Sequence, residues 1–143
     1  MTDLVVRPAA AGDEDTVVAL WRACGLTVPW NDPVMDFRRA LGREGSDILV
    51  GELAGAVVAS AMVGHDGHRG WLYYVATDPA CRGRGFGRHV TAAAEDWVRA
   101  QGIRKIMLMV RATNTAVLGF YDSLDFAPSQ VVVLQKWLDG TRA

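Results

Sequence analysis

Cysteine, net charge and long apolar runs are all scarce in this chain of 143 residues. Its 2 cysteines, Cys24 and Cys81, are too few for a disulfide framework. With no C-x-x-C or clustered histidine, no metal site is expected, and a reducing, cytoplasmic setting is. The longest apolar run, residues 54–64, is too short to cross a bilayer, and no basic segment followed by an apolar stretch opens the chain. A soluble, unprocessed protein without a membrane partner is therefore predicted. Lys and Arg number 15 against 16 Asp and Glu, a formal charge of -1, so no chain-wide field attracts nucleic acid.

What is present is apolar material and one local charge. Half of the residues are hydrophobic, enough for a single globular domain over 1–143 to bury a core. Between Cys81 and Arg111 stand seven basic residues (Arg82, Arg84, Arg88, Arg99, Arg104, Lys105, Arg111) against two acidic ones, Glu95 and Asp96. That stretch is prepared for an anion.

Periodicity orders the elements. Leu4–Val6 reads as a strand stopped by Pro8; Asp13–Asp15 then caps a helix carrying Val17, Leu20, Trp21 and Cys24, which Gly25 ends. Asp32 with Pro33 opens a second helix bearing Val34, Phe37 and Leu41. Residues 48–53, 56–63 and 71–76 are β-branched apolar runs joined by Ala54-Gly55 and Asp66-Gly67, an antiparallel meander. A long helix follows with Phe86, Val90, Ala94 and Trp97 on one side, up to Gly102. Strands over 106–110 and 131–134 flank a last helix, 114–124. The class is α+β, with no repeat or linker.

The segment Arg82-Gly83-Arg84-Gly85-Phe86-Gly87-Arg88 lies between the third meander strand and the long helix. Glycines admit positive φ and close backbone approach, and a helix start presents unpaired N–H groups with partial positive charge. Together with three arginines this is a site for several phosphate oxygens. A Walker loop would need Gly-Lys-Ser/Thr, and a dinucleotide fingerprint would need glycine where Arg88 stands. Six residues, not five, separate Cys81 from Arg88, which departs from the phosphatase spacing. An RNA-binding strand is matched only at Arg84–Gly87, and the flanking period is helical, so nucleic acid is not an expected partner.

The turn also matches R-x-x-G-x-G of the GNAT acetyltransferases, and Asn114-Thr115-Ala116-Val117-Leu118-Gly119-Phe120-Tyr121-Asp122-Ser123-Leu124-Asp125-Phe126 resembles that family's N-x-x-A-x-x-x-Y-x-x-L-G-F helix. Residues 29–33 and 66–70 are similar to the bacterial YpeA-type branch. The resemblance implies the GNAT fold, a single mixed and largely antiparallel sheet of about six to seven strands flanked by about four helices. It implies direct acetyl transfer from acetyl-CoA to a primary amine of a protein, peptide or small molecule. It places the pyrophosphate on Arg82, Gly83, Arg84, Gly85, Phe86, Gly87 and Arg88, and the pantetheine along the strand at Val75 and Ala76.

A backbone donor near Val75 would suit the thioester carbonyl. Tyr121 matches the position that commonly protonates the leaving thiolate, and it equally suits a core tyrosine beside Val117 and Leu124. Asn114 fits either a pantetheine contact or an N-cap. The strand 71–76 has no carboxylate where many relatives place a glutamate. Candidate bases are a water held by Tyr73 or Tyr74, Glu52, or a residue of the 65–68 turn. That gap keeps a second reading open, a non-catalytic acyl-CoA sensor or interaction module. Asp125 replaces the family's glycine after the helix, and the β-rich C-terminus suits edge pairing in a homodimer.

Overall fold

Ala54 and Gly55 both adopt positive φ, 51° and 82°, the backbone of a two-residue hairpin turn, and this fixes the register of the strands on either side. The computed structural model describes residues 3–142. Five strands, β1 (Val5–Pro8), β2 (Ser46–Leu53), β3 (Ala56–His65), β4 (Gly70–Thr77) and β5 (Ile106–Met107), form one sheet in that order. The first four are antiparallel; β5 runs parallel to β4 and pairs only at Gly70↔Ile106 and Trp71↔Met107. Beyond Trp71, that edge of β4 has no strand partner among the described residues. The helices are α1 (Glu14–Ala23), α2 (Pro33–Ala40), α3 (Phe86–Ala100) and α4 (Thr115–Asp122). The chain divides into two compact units, one ending at Leu108 and the other beginning at Met109.

In the first unit, alternation along the strands serves two faces. Ile48, Val50 and Ala76 pack with Val17, Val18, Leu20 and Trp21 of α1 and with Phe37 and Ala40 of α2. The amphipathic α3 buries Phe86, Val90, Thr91, Ala94 and Val98. Asp32 caps α2 as its sequence predicts, its Oδ1 accepting from the N–H groups of Val34 (2.9 Å) and Met35 (3.3 Å), with Pro33 at the first helical position. Asp13 does otherwise: its carboxylate takes the Ala10 N–H at 2.7 Å and Arg7 at 2.8 Å, leaving α1 without a side-chain cap.

Gly70 explains itself by packing. A methyl group there would stand 2.7 Å from both Cγ atoms of Val98 on α3. Valine in a helix has one favoured rotamer, so it cannot swing aside. Gly70→Ala is expected to cost roughly 1–3 kcal/mol by overpacking. A thermal melt checks this, and adding Val98→Ala should recover much of the loss.

Two strand assignments are corrected. The run 106–110 is a strand only at Ile106–Met107, and residues 131–134 form none, so the sheet has five strands rather than six to seven. β-branched residues favour strands through packing on a half-buried surface. Val132 and Leu134 are 83% and 88% exposed and have no ladder partner, so propensity has nothing to act on. The premise for edge pairing there goes with the strand.

Candidate active site

β4 changes face halfway along. Gly70 faces α3, and Leu72, two residues on, shares that side. Simple alternation would send Tyr74 the same way. Instead Met62 of β3 pairs with Tyr73 and Ser60 with Ala76, so Tyr74 and Val75 together oppose Ala61. This β-bulge turns Tyr74 to the opposite face, where its ring stacks on Trp21 at 3.9 Å and 12°. Tyr74 carries φ 49°, a left-handed conformation that costs a bulky residue about 1–3 kcal/mol and persists only where its surroundings over-determine it.

Here they do. The Tyr74 hydroxyl donates to Asp36 Oδ2 at 2.7 Å, and the Tyr74 carbonyl accepts from Ser60 Oγ at 3.0 Å. Ser60 is fully buried and its Oγ also accepts the Trp21 indole N–H at 3.0 Å. Burial first, then the Asp36 carboxylate, pushes the Tyr74 phenol well above its ordinary value, so it stays a donor. The Cys24 thiol donates to the Thr77 carbonyl at 3.2 Å and fastens the end of the strand.

After Thr77 the chain enters the predicted turn. Asp78 Oδ1 accepts from the Ala80 N–H at 2.9 Å, closing a short 3-10 turn over Pro79–Cys81. Gly83 and Gly85 both take φ 79°, and Gly85 is the N-cap of α3. A Cβ at either would meet nothing within 4 Å, so conformation rather than crowding calls for glycine. No side chain caps α3, which leaves the N–H groups of its first turn to solvent or a ligand. Arg82, Arg84 and Arg88 are exposed around them, and the Arg84 guanidinium lies over the buried Phe86 ring at 5.0 Å. The structure thus brings Val75, Ala76 and Arg82–Arg88 into one strand-turn-helix passage.

Asn114 and Tyr121 lie in the second unit, Asn114 just before α4 and Tyr121 within it. Asn114 caps the helix, its Oδ1 accepting from the Val117 N–H at 3.3 Å. Tyr121 meets Phe120 and Phe126 edge-on at 4.9 and 5.4 Å, and its carbonyl accepts the Phe126 N–H at 3.0 Å. Burial pushes the Tyr121 phenol up to about 12. Asp125 adopts φ 67°, the left-handed position that glycine fills in the resembling motif.

The candidate bases fare unequally. Glu52 is paired with Arg7 at 2.7 Å. Asp66 Oδ1 accepts from the N–H groups of Arg69 and His68, which hold its carboxyl down near about 2, and His65 Nδ1 accepts from the Gly67 N–H. These groups build the β3–β4 turn, several residues from the bulge. Tyr73 is exposed beside it. Asp36 is the functional candidate that sequence reasoning missed. In a helical pattern it reads as a solvated position, and only the bulge, which turns Tyr74 onto it, gives it significance.

Comparison with known proteins bears on the family and the fold. The family model described as Acetyltransferase (GNAT) family matches residues 15–126. An acetyltransferase of Yersinia enterocolitica is 41% identical over 133 residues, 93% of this chain and 94% of that protein. Among solved structures, the aminoglycoside N-acetyltransferase AAC(6')-Iy in complex with CoA superposes with a TM-score of 0.81 at 15% identity, covering 96% of this chain and 97% of its own. An aminoglycoside acetyltransferase from an uncultured soil metagenomic sample, in complex with sisomicin, gives 0.77 at 17% identity, covering 95% and 97%. The chain belongs to the GNAT acetyltransferase family.

Proposed function

We propose that this acetyltransferase moves an acetyl group from acetyl-CoA to a primary amine, with residues 1–143 acting as one domain. The observation that carries this reading is the uncapped start of α3, with two left-handed glycines and three exposed arginines at the end of a bulged strand whose outer edge, beyond Trp71, pairs with no strand among the described residues. A pyrophosphate suits that turn. N–H groups from Gly83 to Arg88 meet its oxygens while Arg82 and Arg84 add charge, and Phe86 holds the Arg84 guanidinium in place. The edge of β4 at Val75 and Ala76, which pairs with no strand among the described residues, suits the amides of a pantetheine arm.

Acetyl-CoA supplies an activated acetyl group. The Val75 N–H is assigned to its carbonyl oxygen, and one such preorganised donor is worth roughly 3 kcal/mol. Tyr121 holds a proton on its hydroxyl for the departing sulfur, and Asn114, whose Oδ1 is taken by its cap, keeps its amide N–H groups for the arm. The neighbours named as aminoglycoside N-acetyltransferases support an amine acceptor. The family match runs through both units, which supports a single domain. No helix among the described residues is long and apolar enough to cross a membrane. The unbridged Cys24 and Cys81 support a reducing, cytoplasmic setting.

Calorimetric titration with acetyl-CoA tests the reading. The wild type should bind saturably, and Arg82→Ala with Arg84→Ala should weaken binding by roughly thirtyfold, because two exposed charged hydrogen bonds are lost, each worth about 1 kcal/mol or a little more. Raising the salt should weaken the wild type and narrow the difference. No heat with acetyl-CoA or CoA removes the proposal. A second reading, an acyl-CoA sensor, is favoured by one observation: β4 carries no carboxylate and Glu52 is committed to Arg7. Binding without acceptor-stimulated thiol release would select it.

A further inference from the structure

Asp36 is a half-buried carboxylate that pairs with no cation among the described residues. Among the described residues the ion pairs lie elsewhere: Arg7 with Asp13 and Glu52, Arg38 with Glu14, Arg99 with Glu95 and Asp96. Among the described residues its side chain has one hydrogen-bond partner, the Tyr74 hydroxyl on Oδ2. A carboxylate held in one orientation by a clamped phenol, with its other oxygen open to solvent, is preorganised to accept a cation brought by a ligand.

The position of Asp36 gives that cation a use. Tyr74 immediately precedes Val75, whose N–H is assigned above to the acetyl carbonyl. A tyrosine side chain is rigid beyond its two rotatable bonds, and this one is clamped by the Trp21 stack at 3.9 Å. The phenol therefore stands between β4 and the carboxylate and keeps Asp36 a side chain's length from the bulge. At that remove Asp36 is badly placed for the nitrogen that attacks and well placed for a second charge on the same molecule. We propose that Asp36, presented by Tyr74, docks a second positive charge of the acceptor, so that the acceptor is a diamine or larger polycation rather than a monoamine; this rests on the transferase reading of Val75.

The Tyr74 hydroxyl holds the orientation of the carboxylate, so Tyr74 is the positioning residue and Asp36 the one that touches the acceptor. Arg38, on the same helix, does not compete, because its guanidinium is held by Glu14 at 2.7 Å. Asp32, one turn earlier, spends its Oδ1 on the helix cap.

The test separates docking from turnover by using protein saturated with CoA, which cannot transfer acetyl. Putrescine and butylamine, which share a carbon chain and differ in one ammonium, are titrated calorimetrically into wild type, Asp36→Asn and Asp36→Glu. Putrescine should bind the wild type about tenfold tighter or more, the range of a partly buried charge-assisted contact. The preference should fall to within about twofold in Asp36→Asn, be partly kept in Asp36→Glu, and shrink with added salt in the wild type. Equal binding of the two amines by the wild type overturns the proposal without reference to any variant, as does an undiminished preference in a folded Asp36→Asn. Thiol release from acetyl-CoA is followed separately. If it is absent while the putrescine preference stands, the transferase reading fails and the Asp36 site is upheld.

Discussion

Tyr121→Phe should lower turnover by about a hundredfold or more, the usual weight of a positioned proton donor, while leaving acetyl-CoA affinity within about twofold. The variant removes one hydroxyl and keeps the ring, so the edge-on contacts with Phe120 and Phe126 at 4.9 and 5.4 Å survive. Loss of rate without loss of affinity is the signature of an interaction made only as the bond to sulfur breaks. The pH profile gives an independent reading. Burial raises the phenol from 10.0 to about 12, so Tyr121 keeps its proton throughout the range in which an amine acceptor becomes neutral. Turnover should therefore show no fall attributable to Tyr121 below about pH 10. The same shift has a consequence for stability. A folded pKa above the unfolded value favours the protonated fold, so the contribution is complete below pH 10.0 and is lost as the pH climbs towards about 12. Chemical denaturation across that alkaline range should show a steeper slope in the wild type than in Tyr121→Phe, in which the raised Tyr74 and Tyr73 phenols still contribute. Unchanged turnover would leave Tyr121 as a packing residue alone.

The parts legible in the sequence are those fixed by local chemistry. Asp32 followed by Pro33 announces the start of α2, and the glycines at 83 and 85 announce a left-handed entry into α3, because each signal acts within one turn of backbone. The antiparallel meander β2–β3–β4 follows from its turns and β-branched runs for the same reason. What the sequence concealed depends on partners outside the element itself. Val131–Leu134 has strand composition and forms no strand, since pairing decides strands. Asp13 looks like the cap of α1, yet Arg7 of β1 claims its carboxylate at 2.8 Å. Asp36 reads as a surface charge until a one-residue slip between β3 and β4 turns Tyr74 onto it. A bulge has no reliable signature in a single sequence. Tyr74-Val75 reads as ordinary strand, and the strain at Tyr74 shows only in its φ of 49°.

The strain at Tyr74 makes Ser60 a sensitive position. Ser60→Ala is expected to cost about 2–4 kcal/mol, because it strands the buried Trp21 N–H completely and the half-buried Tyr74 carbonyl in part, and each unsatisfied group costs on the order of 1–3 kcal/mol. That is a large share of the roughly 5–15 kcal/mol by which a domain is stable. A melting temperature lower by roughly 10 °C is the expected reading. The serine has two tasks: its Oγ accepts from Trp21 at 3.0 Å and donates to the Tyr74 carbonyl at 3.0 Å, so one atom joins the α1 face of the core to the bulge. Without it the left-handed Tyr74 keeps its ring stack and its bond to Asp36 and loses the restraint on its own backbone. Val75, the next residue, then loses its fixed direction, and a donor displaced by about 1 Å can cost a hundredfold in rate. Stability and turnover should therefore fall together. A double-mutant cycle with Trp21→Phe decides whether the network is the cause. That variant removes the indole donor, so in its background Ser60→Ala strands one group fewer and the two losses should sum to more than the double variant shows. Strict additivity would mean that Ser60 acts on the bulge without Trp21, and a Ser60→Ala protein with wild-type melting and turnover would mean that the bulge is held by the Tyr74 side chain alone.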